Sequence, residues 1–281
     1  MKYVIIKNFI DEKFSKNLIN DANKIIDFDK EIIIHNNRAF VSSTSINFNK
    51  LIEKSDAWKN LEKKINSEKF FNFCLENVNL NKSNYSLQNY YKKKKFSKNE
   101  IIYKKISDSK IKSISTPSLI KFIIYRIYKN FLKILKFSKI FYPKKQPVEL
   151  LFDFSRAGNG YINNVHRDSD SRLVVFLLYL NNLKKDYDTN GGDLNFHKLV
   201  DENEKNLSHP NLQSFEKIES VNPEPGKLVI FLNEDDAYHS VSEMKNFKGH
   251  RYFLYGGFTL LANRNPFIKN YKSPTEFFLY D

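Results

Sequence analysis

The sequence predicts an α+β fold in which N-terminal helices support a β-rich core, with a basic and largely helical insert between them. Three observations lead to this prediction. Helical periodicity dominates residues 1–80, short strands separated by turn signals fill residues 148–265, and residues 81–147 are basic without clear strand alternation. Residues 266–281 form a C-terminal tail. We therefore expect one large domain built on the β-rich region.

The N-terminal region opens with a strand and continues into helices. Residues 3–9 are an apolar, strand-like run, and an amphipathic helical pattern follows from Asp11 to about residue 26. A second alternating stretch, residues 38–48, predicts another strand. Helical patterns then cover residues 51–65 and 68–78.

The insert contains the most basic stretch of the chain. Between Asp108 and Glu149 there is no acidic residue, but there are ten lysines or arginines. Pro117 and Pro143 bracket an apolar segment, as expected where proline occupies a first helical turn and blocks continuation beyond the last. At ~100° per residue, the basic side chains of residues 118–142 fall within a sector of roughly 140°. The pattern predicts an amphipathic helix with one basic face.

The net charge of +14 has two interpretations. Basic proteins often bind nucleic acid or anionic membranes. Lysine, asparagine and isoleucine are abundant throughout the chain, however, and an AT-rich genome produces that composition without any polyanionic partner. For residues 118–142 we expect either peripheral membrane contact or packing on the core with a solvated basic face. Nucleic acid is the less favoured partner.

The remaining composition favours a packed protein in a reducing compartment. Hydrophobic residues make up 41% and aromatic residues 15% of the chain, which argues against disorder. The lone Cys74 excludes an internal disulfide and a cysteine-based zinc site. Neither a signal-peptide core nor a membrane-spanning apolar run is present. We expect a cytoplasmic protein, peripheral at a membrane in the alternative interpretation.

The β-rich region contains five candidate strands. Glycine and proline turn signals separate them at residues 158–160, 190–192 and 223–226. Short strands at this spacing, with no helices between them, predict an antiparallel sandwich or barrel. The candidate strands are residues 148–154, 172–180, 193–197, 227–232 and 251–260.

A metal-binding constellation accompanies these strands. His166 and Asp168 precede the strongest strand, and residues i and i+2 of an extended chain point to the same face. His239 follows the strand at 227–232 and could supply a third ligand. Two histidines and one carboxylate with open positions opposite form the facial triad of non-haem iron oxygenases. A His-x-acid pattern alone has little weight, so the combination with the strands is what favours a site.

Arg251 lies shortly after His239 and opens the last candidate strand. 2-Oxoglutarate chelates iron through its keto-acid end, so its far carboxylate needs a fixed cation. Arginine offers a permanently charged, bidentate fork for such a carboxylate. A surface arginine at a strand start is the alternative. Other catalytic patterns are missing: the chain has no G-x-S-x-G elbow, and its glycine motifs lack the residues of a P-loop or dinucleotide site.

From about residue 148 to 260, the sequence resembles the prolyl-4-hydroxylase-like branch of the Fe(II)- and 2-oxoglutarate-dependent oxygenases. The order and spacing of the shared motifs agree over roughly 110 residues. The matching segments are His166-Arg-Asp168 with Arg172 and Tyr179-Leu-Asn181, Gly191-Gly-Asp-Leu194, Pro225-Gly226-Lys-Leu-Val-Ile-Phe231, His239-Ser-Val241 and Gly249-His-Arg251-Tyr252. Residues 156–160 lack the tyrosine usual in this family, and the insert has no matching segment.

The resemblance implies a double-stranded β-helix, a relative of the jelly roll, with Fe(II) and 2-oxoglutarate as cofactor and co-substrate, O₂ as oxidant and ascorbate as a candidate reductant. It implies metal ligation by His166, Asp168 and His239. Arg251 would bind the far carboxylate of 2-oxoglutarate, shared with Tyr179 unless Tyr179 is only a core aromatic. Arg172 is a candidate substrate contact.

The function expected from the resemblance is hydroxylation of an unactivated C–H bond, with a peptidyl proline as the family-weighted substrate. A glycan, a lipid precursor or a small metabolite are the alternatives, and the basic insert mildly favours an anionic substrate. Fold and cofactor do not determine the substrate. A non-catalytic, cupin-like protein that binds metal or carbohydrate is the competing class, and Arg251 and Tyr179 count against it.

Overall fold

The computed structural model describes residues 1–28, 33–35, 37–88, 145–181, 191–204, 212–261 and 265–268. The predicted basic helix at 118–142 and most of the predicted tail lie outside these ranges. No helix within them is long and apolar enough to cross a membrane.

The helices are α1 (Glu12–Ile25), α2 (Ile46–Lys54), α3 (Asp56–Ile65) and α4 (Glu68–Asn77). The strands are β1 (Tyr3–Ile6), β2 (Ile33–His35), β3 (Arg38–Ser42), β4 (Tyr85–Gln88), β5 (Gln146–Ala157), β6 (Asn163–His166), β7 (Arg172–Tyr179), β8 (Leu194–Leu199), β9 (Phe215–Val221), β10 (Leu228–Leu232), β11 (His239–Val241) and β12 (Arg251–Leu260).

Two sheets form the β-core. In the described part of the chain, the larger sheet has eight strands in the order β1-β10-β7-β12-β5-β3-β2, with β4 pairing beside β5. The smaller sheet has four strands in the order β6-β11-β8-β9. The pairs are antiparallel except β4 with β5, which run parallel. The predicted mixture of helices and antiparallel sheets is confirmed. Of the largely helical insert predicted at 81–147, residues 85–88 instead form strand β4, which pairs with β5, and residues 89–144 lie outside the described ranges.

Strand β7 separates two apolar cores because successive side chains of a strand point to opposite faces. Val175, Leu177 and Tyr179 belong to the core between the two sheets. Val174 and Phe176 pack with the helices on the other face. Burial on both faces explains why this strand is a continuous apolar run in the sequence.

The predictions for the N-terminal region were right in type and wrong at two boundaries. The strand predicted at 38–48 ends at Ser42, since the Ser45 side chain accepts a hydrogen bond from Phe48 N at 3.1 Å and starts α2. The helix predicted at 51–65 is two helices, because Ser55 caps the start of α3 by accepting from Trp58 N at 3.2 Å. The caps outweigh hydrophobic periodicity at both positions.

The five strands predicted for the β-rich region correspond to β5, β7, β8, β10 and β12, with bounds shifted by up to a few residues. Three further strands were missed. Strands β6 and β11 have four and three residues, too few for a period-two pattern, and β9 is a mostly exposed edge strand rich in charged residues. The two shortest of these carry the histidines of the predicted metal site.

Candidate functional site

The fold brings His166, Asp168 and His239 together. His166 ends β6, and His239 begins β11 directly opposite it in the antiparallel register. Asp168 lies in the loop from β6 to β7. One ligand atom from each residue lies within 4.8 Å of the others. These three side chains could therefore hold one metal ion, as the sequence predicts.

Main-chain carbonyls orient both histidines. Nδ1 of His166 lies 2.7 Å from the carbonyl oxygen of Asn164, and Nδ1 of His239 lies 3.0 Å from that of Ala237. A carbonyl oxygen can only accept a hydrogen bond, so each Nδ1 carries the proton and donates it. The other ring nitrogen, Nε2, then keeps the lone pair that a metal requires. The sequence alone could not identify these partners.

Asp168 is only 8% exposed, and its carboxylate has a strong donor. The hydroxyl of Tyr255 donates to Oδ1 of Asp168 at 2.5 Å. Burial works to raise the pKa of Asp168, but the charge of Arg172, the electrostatic effect of the two neighbouring histidines and the Tyr255 hydrogen bond outweigh burial and lower that pKa. The carboxylate is ionised at neutral pH, as metal ligation requires.

A second polar site lies between the sheets, where Arg251 opens β12 and Tyr179 ends β7. Arg251 is 2% exposed and Tyr179 is fully buried. Nη1 of Arg251 donates to the carbonyl oxygen of Gly192. Nε and Nη2 of Arg251 and the hydroxyl of Tyr179 are buried and have no hydrogen-bond partner among the described residues. Unsatisfied buried donors are costly, and a carboxylate placed here would accept from them.

Aromatic rings and a glycine pair shape this second site. Cζ of Arg251 lies 4.8 Å from the ring centroid of Phe253, 5.4 Å from that of Tyr161 and 5.8 Å from that of Tyr179. Gly192 has a φ of +77°, and a Cβ at this position would lie 3.2 Å from Nη1 of Arg251. The absence of a side chain at Gly192 therefore leaves room for the guanidinium of Arg251.

The two sites share one core. The ring centroid of Phe231 lies 4.9 Å from that of His239, and Phe231 belongs to the same apolar cluster as Tyr179. The metal-binding candidates come from the smaller sheet and the following loop, whereas Arg251 and Tyr179 come from the larger sheet. A ligand with a metal-chelating end and a far carboxylate would join the two.

Residues 152–258 match the family model described as the 2OG-Fe(II) oxygenase superfamily. The match runs from β5 into β12 and includes the three candidate metal ligands, Tyr179 and Arg251. Residues 152–258 belong to the 2OG-Fe(II) oxygenase superfamily. The protein is thus a 2-oxoglutarate-dependent dioxygenase, and Fe(II), 2-oxoglutarate and O₂ are its cofactor and co-substrates, as predicted. Ascorbate stays a prediction.

Solved structures of prolyl 4-hydroxylases are similar to this chain. A structure of prolyl 4-hydroxylases from Phytophthora capsici is 16% identical, with a TM-score of 0.50, over 94% of this chain and 60% of that one. A prolyl-4-hydroxylase from Pseudomonas putida is 13% identical, with a TM-score of 0.47, over 92% of each chain. At such identity the similarity concerns the fold and not the substrate. The comparison with curated proteins found no significant match.

The residues present fit the group that the superfamily uses. When bound, Fe(II), 2-oxoglutarate and O₂ supply oxidative decarboxylation to succinate and CO₂, coupled to hydroxylation of a C–H bond. His166 and His239 offer neutral nitrogens and Asp168 an ionised carboxylate, the set that suits non-haem Fe(II). The buried donors of Arg251 and Tyr179, which no other described residue engages, suit the far carboxylate of 2-oxoglutarate.

The six residues selected from the sequence lie in or beside this oxygenase site. Five make up the candidate metal and carboxylate sites, and the sixth, Arg172, borders Asp168, with Nη1 3.8 Å from Oδ2. The sequence did not single out Tyr161 or Tyr255. Tyr255 could have been found by period two, since alternate residues of β12 point to one face and would place it with Arg251. Tyr161 follows the turn at 158–160 and has no such signal.

Proposed function

We propose that this dioxygenase hydroxylates an unactivated C–H bond at a site in which His166, Asp168 and His239 bind Fe(II). In this proposal, Arg251 and Tyr179 bind the far carboxylate of 2-oxoglutarate. The observation that carries the assignment is the set of buried donors on Arg251 and Tyr179 that have no partner within the described ranges, in the same core as the three clustered ligands. We interpret the two packed antiparallel sheets as a double-stranded β-helix.

For the substrate, we propose a prolyl residue in a peptide. The support is the motif resemblance of residues 148–260 to the prolyl-4-hydroxylase-like branch. A glycan, a lipid precursor or a small metabolite would use the same chemistry at the same site. The substrate-facing loops decide among these classes.

The test is succinate formation by the purified chain with Fe(II), ascorbate and 2-oxoglutarate. Proline-containing peptides, glycans, lipid precursors and small-metabolite pools are compared with an assay lacking substrate. His239→Ala and Asp168→Ala remove one proposed ligand each, and both should abolish the succinate signal. A folded, iron-supplied wild-type protein that neither forms succinate nor binds 2-oxoglutarate would contradict the proposed site. Stimulation by another substrate class and not by peptides would contradict the prolyl substrate alone.

We also propose a cytoplasmic enzyme that residues 118–142 bring to an anionic membrane surface. The support is the sequence pattern of that segment, which carries basic side chains on one predicted helical face. Flotation with anionic and neutral vesicles, comparing the full chain with a deletion of residues 89–144, tests it. Equal recovery of both proteins with anionic vesicles would refute membrane contact through the insert.

A further inference from the structure

Tyr255 lies in the middle of β12, with Asp153 of β5 on one side and Leu177 of β7 on the other. Its hydroxyl makes two short contacts. It donates to Oδ1 of Asp168 at 2.5 Å, and Nη1 of Arg172 donates to it at 2.6 Å. The phenol therefore links an arginine to the carboxylate of the proposed metal site.

The direction of this chain of hydrogen bonds is fixed by chemistry. A guanidinium has donors only, so the phenol oxygen must accept from Arg172. The single hydroxyl hydrogen of Tyr255 is then left for Asp168, whose ionised carboxylate can only accept. Each group holds the next in one orientation, and a charged donor at the start strengthens the series.

The ring of Tyr255 is also held from the side. Cζ of Arg172 lies 5.0 Å and Cζ of Arg38 lies 5.7 Å from its centroid. Arg38 is itself fixed, because it donates to Ser155 Oγ at 3.0 Å and to Asp153 Oδ2 at 3.3 Å. Two guanidiniums against one ring favour a single position for the phenol.

We propose that Tyr255 is a positioning residue for Asp168, and that Arg172 acts on the metal site by holding Tyr255. The proposal rests on the proposed function, because it requires a metal at His166, Asp168 and His239. The oxygen that accepts from Tyr255 is the one 3.9 Å from Nε2 of His166, so the phenol holds the carboxylate oxygen that lies beside this histidine. The earlier prediction that Arg172 contacts the substrate is a separate role that stays untested.

Tyr255→Phe removes the hydroxyl and keeps the ring. The measurements are made without O₂ and without prime substrate: the dissociation constant for Fe(II) or Co(II), and the visible charge-transfer absorption of the Fe(II) and 2-oxoglutarate complex. We expect metal binding to weaken by ~10- to 100-fold, as for other residues that orient metal ligands, with a shifted absorption band. Activity is not needed for either readout.

Tyr252→Phe is the matched control. Tyr252 lies on the same strand, is 8% exposed, and donates its hydroxyl hydrogen to Asn23 Oδ1 at 3.0 Å, away from the metal site. The Tyr252→Phe variant loses a phenolic hydrogen bond, as Tyr255→Phe does. A general effect of that loss on folding or metal binding would therefore appear in both variants. Metal affinity and absorption band should match the wild type in Tyr252→Phe.

Arg172→Gln tests the first hydrogen bond of the series, from Arg172 to Tyr255. It also replaces Tyr255→Phe as the test if that variant does not fold. It should weaken metal binding in the absence of substrate, which a residue that only contacts substrate would not do. The double variant should bind metal no more weakly than Tyr255→Phe, because both changes act through one hydroxyl. Folded single variants that keep the wild-type metal affinity and absorption band would overturn the proposal. A wild-type protein that binds no metal would instead overturn the proposed function.

Discussion

At the scale of single residues, the proposed co-substrate pocket depends on a buried guanidinium whose remaining donors have no hydrogen-bond partner in the part of the chain that the structure describes. These donors are Nε and Nη2 of Arg251. The buried hydroxyl of Tyr179 likewise has no partner among the described residues. Burial also raises the pKa of Tyr179 far above the ordinary value, so this phenol keeps its proton and acts as a donor. A neutral donor and a charged fork together suit a carboxylate.

Arg251→Lys should therefore weaken 2-oxoglutarate binding by at least about tenfold, because an ammonium group cannot present two parallel donors. Tyr179→Phe should cost about tenfold, as expected for one hydrogen bond of ~1.5 kcal/mol to a charged group. Calorimetric titration of the metal-loaded protein without O₂ measures both. Metal affinity should stay unchanged, and unaltered 2-oxoglutarate affinity in Arg251→Lys would contradict the assigned pocket.

Gly192→Ala tests the space beside the same guanidinium. The φ of +77° strains any alanine, and its Cβ would lie 3.2 Å from Nη1 of Arg251 and from Cγ of Met244. We expect ~1 kcal/mol or more of destabilisation together with weaker 2-oxoglutarate binding. Gly158→Ala is the control, since its Cβ would have 3.6 Å to its nearest neighbour. Similar 2-oxoglutarate affinity in both variants would contradict the steric argument.

At the scale of elements, one serine joins α2 to α3. Ser55 accepts from Trp58 N at 3.2 Å and donates to Asp21 Oδ2 of α1 at 2.5 Å. The cap starts the helix that buries Trp58 against Phe154 of β5, with ring centroids 4.6 Å apart. The local hydrogen bonds thus determine how the helical layer contacts the larger sheet.

Ser55→Ala should lower the free energy of unfolding by about 1–2 kcal/mol, because it removes a helix cap and the bond to Asp21. Ser67→Ala at the cap of α4 is the comparison. Ser67 also accepts from its helix, from Phe70 N at 3.1 Å, but its hydroxyl donates to the exposed main-chain carbonyl of Lys64 at 2.7 Å and not to a carboxylate. Denaturant unfolding measures both. A smaller loss for Ser55→Ala than for Ser67→Ala would contradict the role of Asp21.

The same elements show what the sequence could and could not predict. Strands β7, β10 and β12 were predicted because long buried strands leave a strong apolar pattern. Strands β6 and β11 were missed, and yet their histidines were selected because the residue types and the motif order indicate metal chemistry. Tyr255 was missed for the opposite reason, since a tyrosine inside an apolar strand looks like core until its hydroxyl is placed beside Asp168.

At the scale of the whole molecule, the site spans both sheets. His166 and His239 belong to the smaller sheet, whereas Arg251 and Tyr179 belong to the larger one. The loop that carries Asp168 runs from β6 of the smaller sheet to β7 of the larger sheet, so this loop joins the two sheets covalently. A bound co-substrate would add a second connection between them.

Metal and 2-oxoglutarate together should raise the midpoint of thermal unfolding more than either alone. Binding to the folded state stabilises it by ~2.7 kcal/mol when ligand exceeds its dissociation constant by about 100-fold. In Arg251→Lys, the rise in the unfolding midpoint caused by metal should persist, and the further rise caused by 2-oxoglutarate should be smaller than in the wild type. Differential scanning fluorimetry with redox-inert Mn(II) measures these shifts. Equal increments in the variant and the wild type would show that the co-substrate does not use Arg251.

The two histidines obtain their orientation from carbonyl oxygens two residues earlier in the chain. A main-chain oxygen is present whatever side chain its residue carries, so substitutions at Asn164 or Ala237 leave these acceptors in place. The orientation of Asp168 is not protected in this way, because its hydrogen-bond donor is the side chain of Tyr255, which a substitution would remove. Evolutionary change in the strength of the metal site is therefore easiest through the carboxylate, where one substitution on a neighbouring strand can tune one ligand and spare the other two.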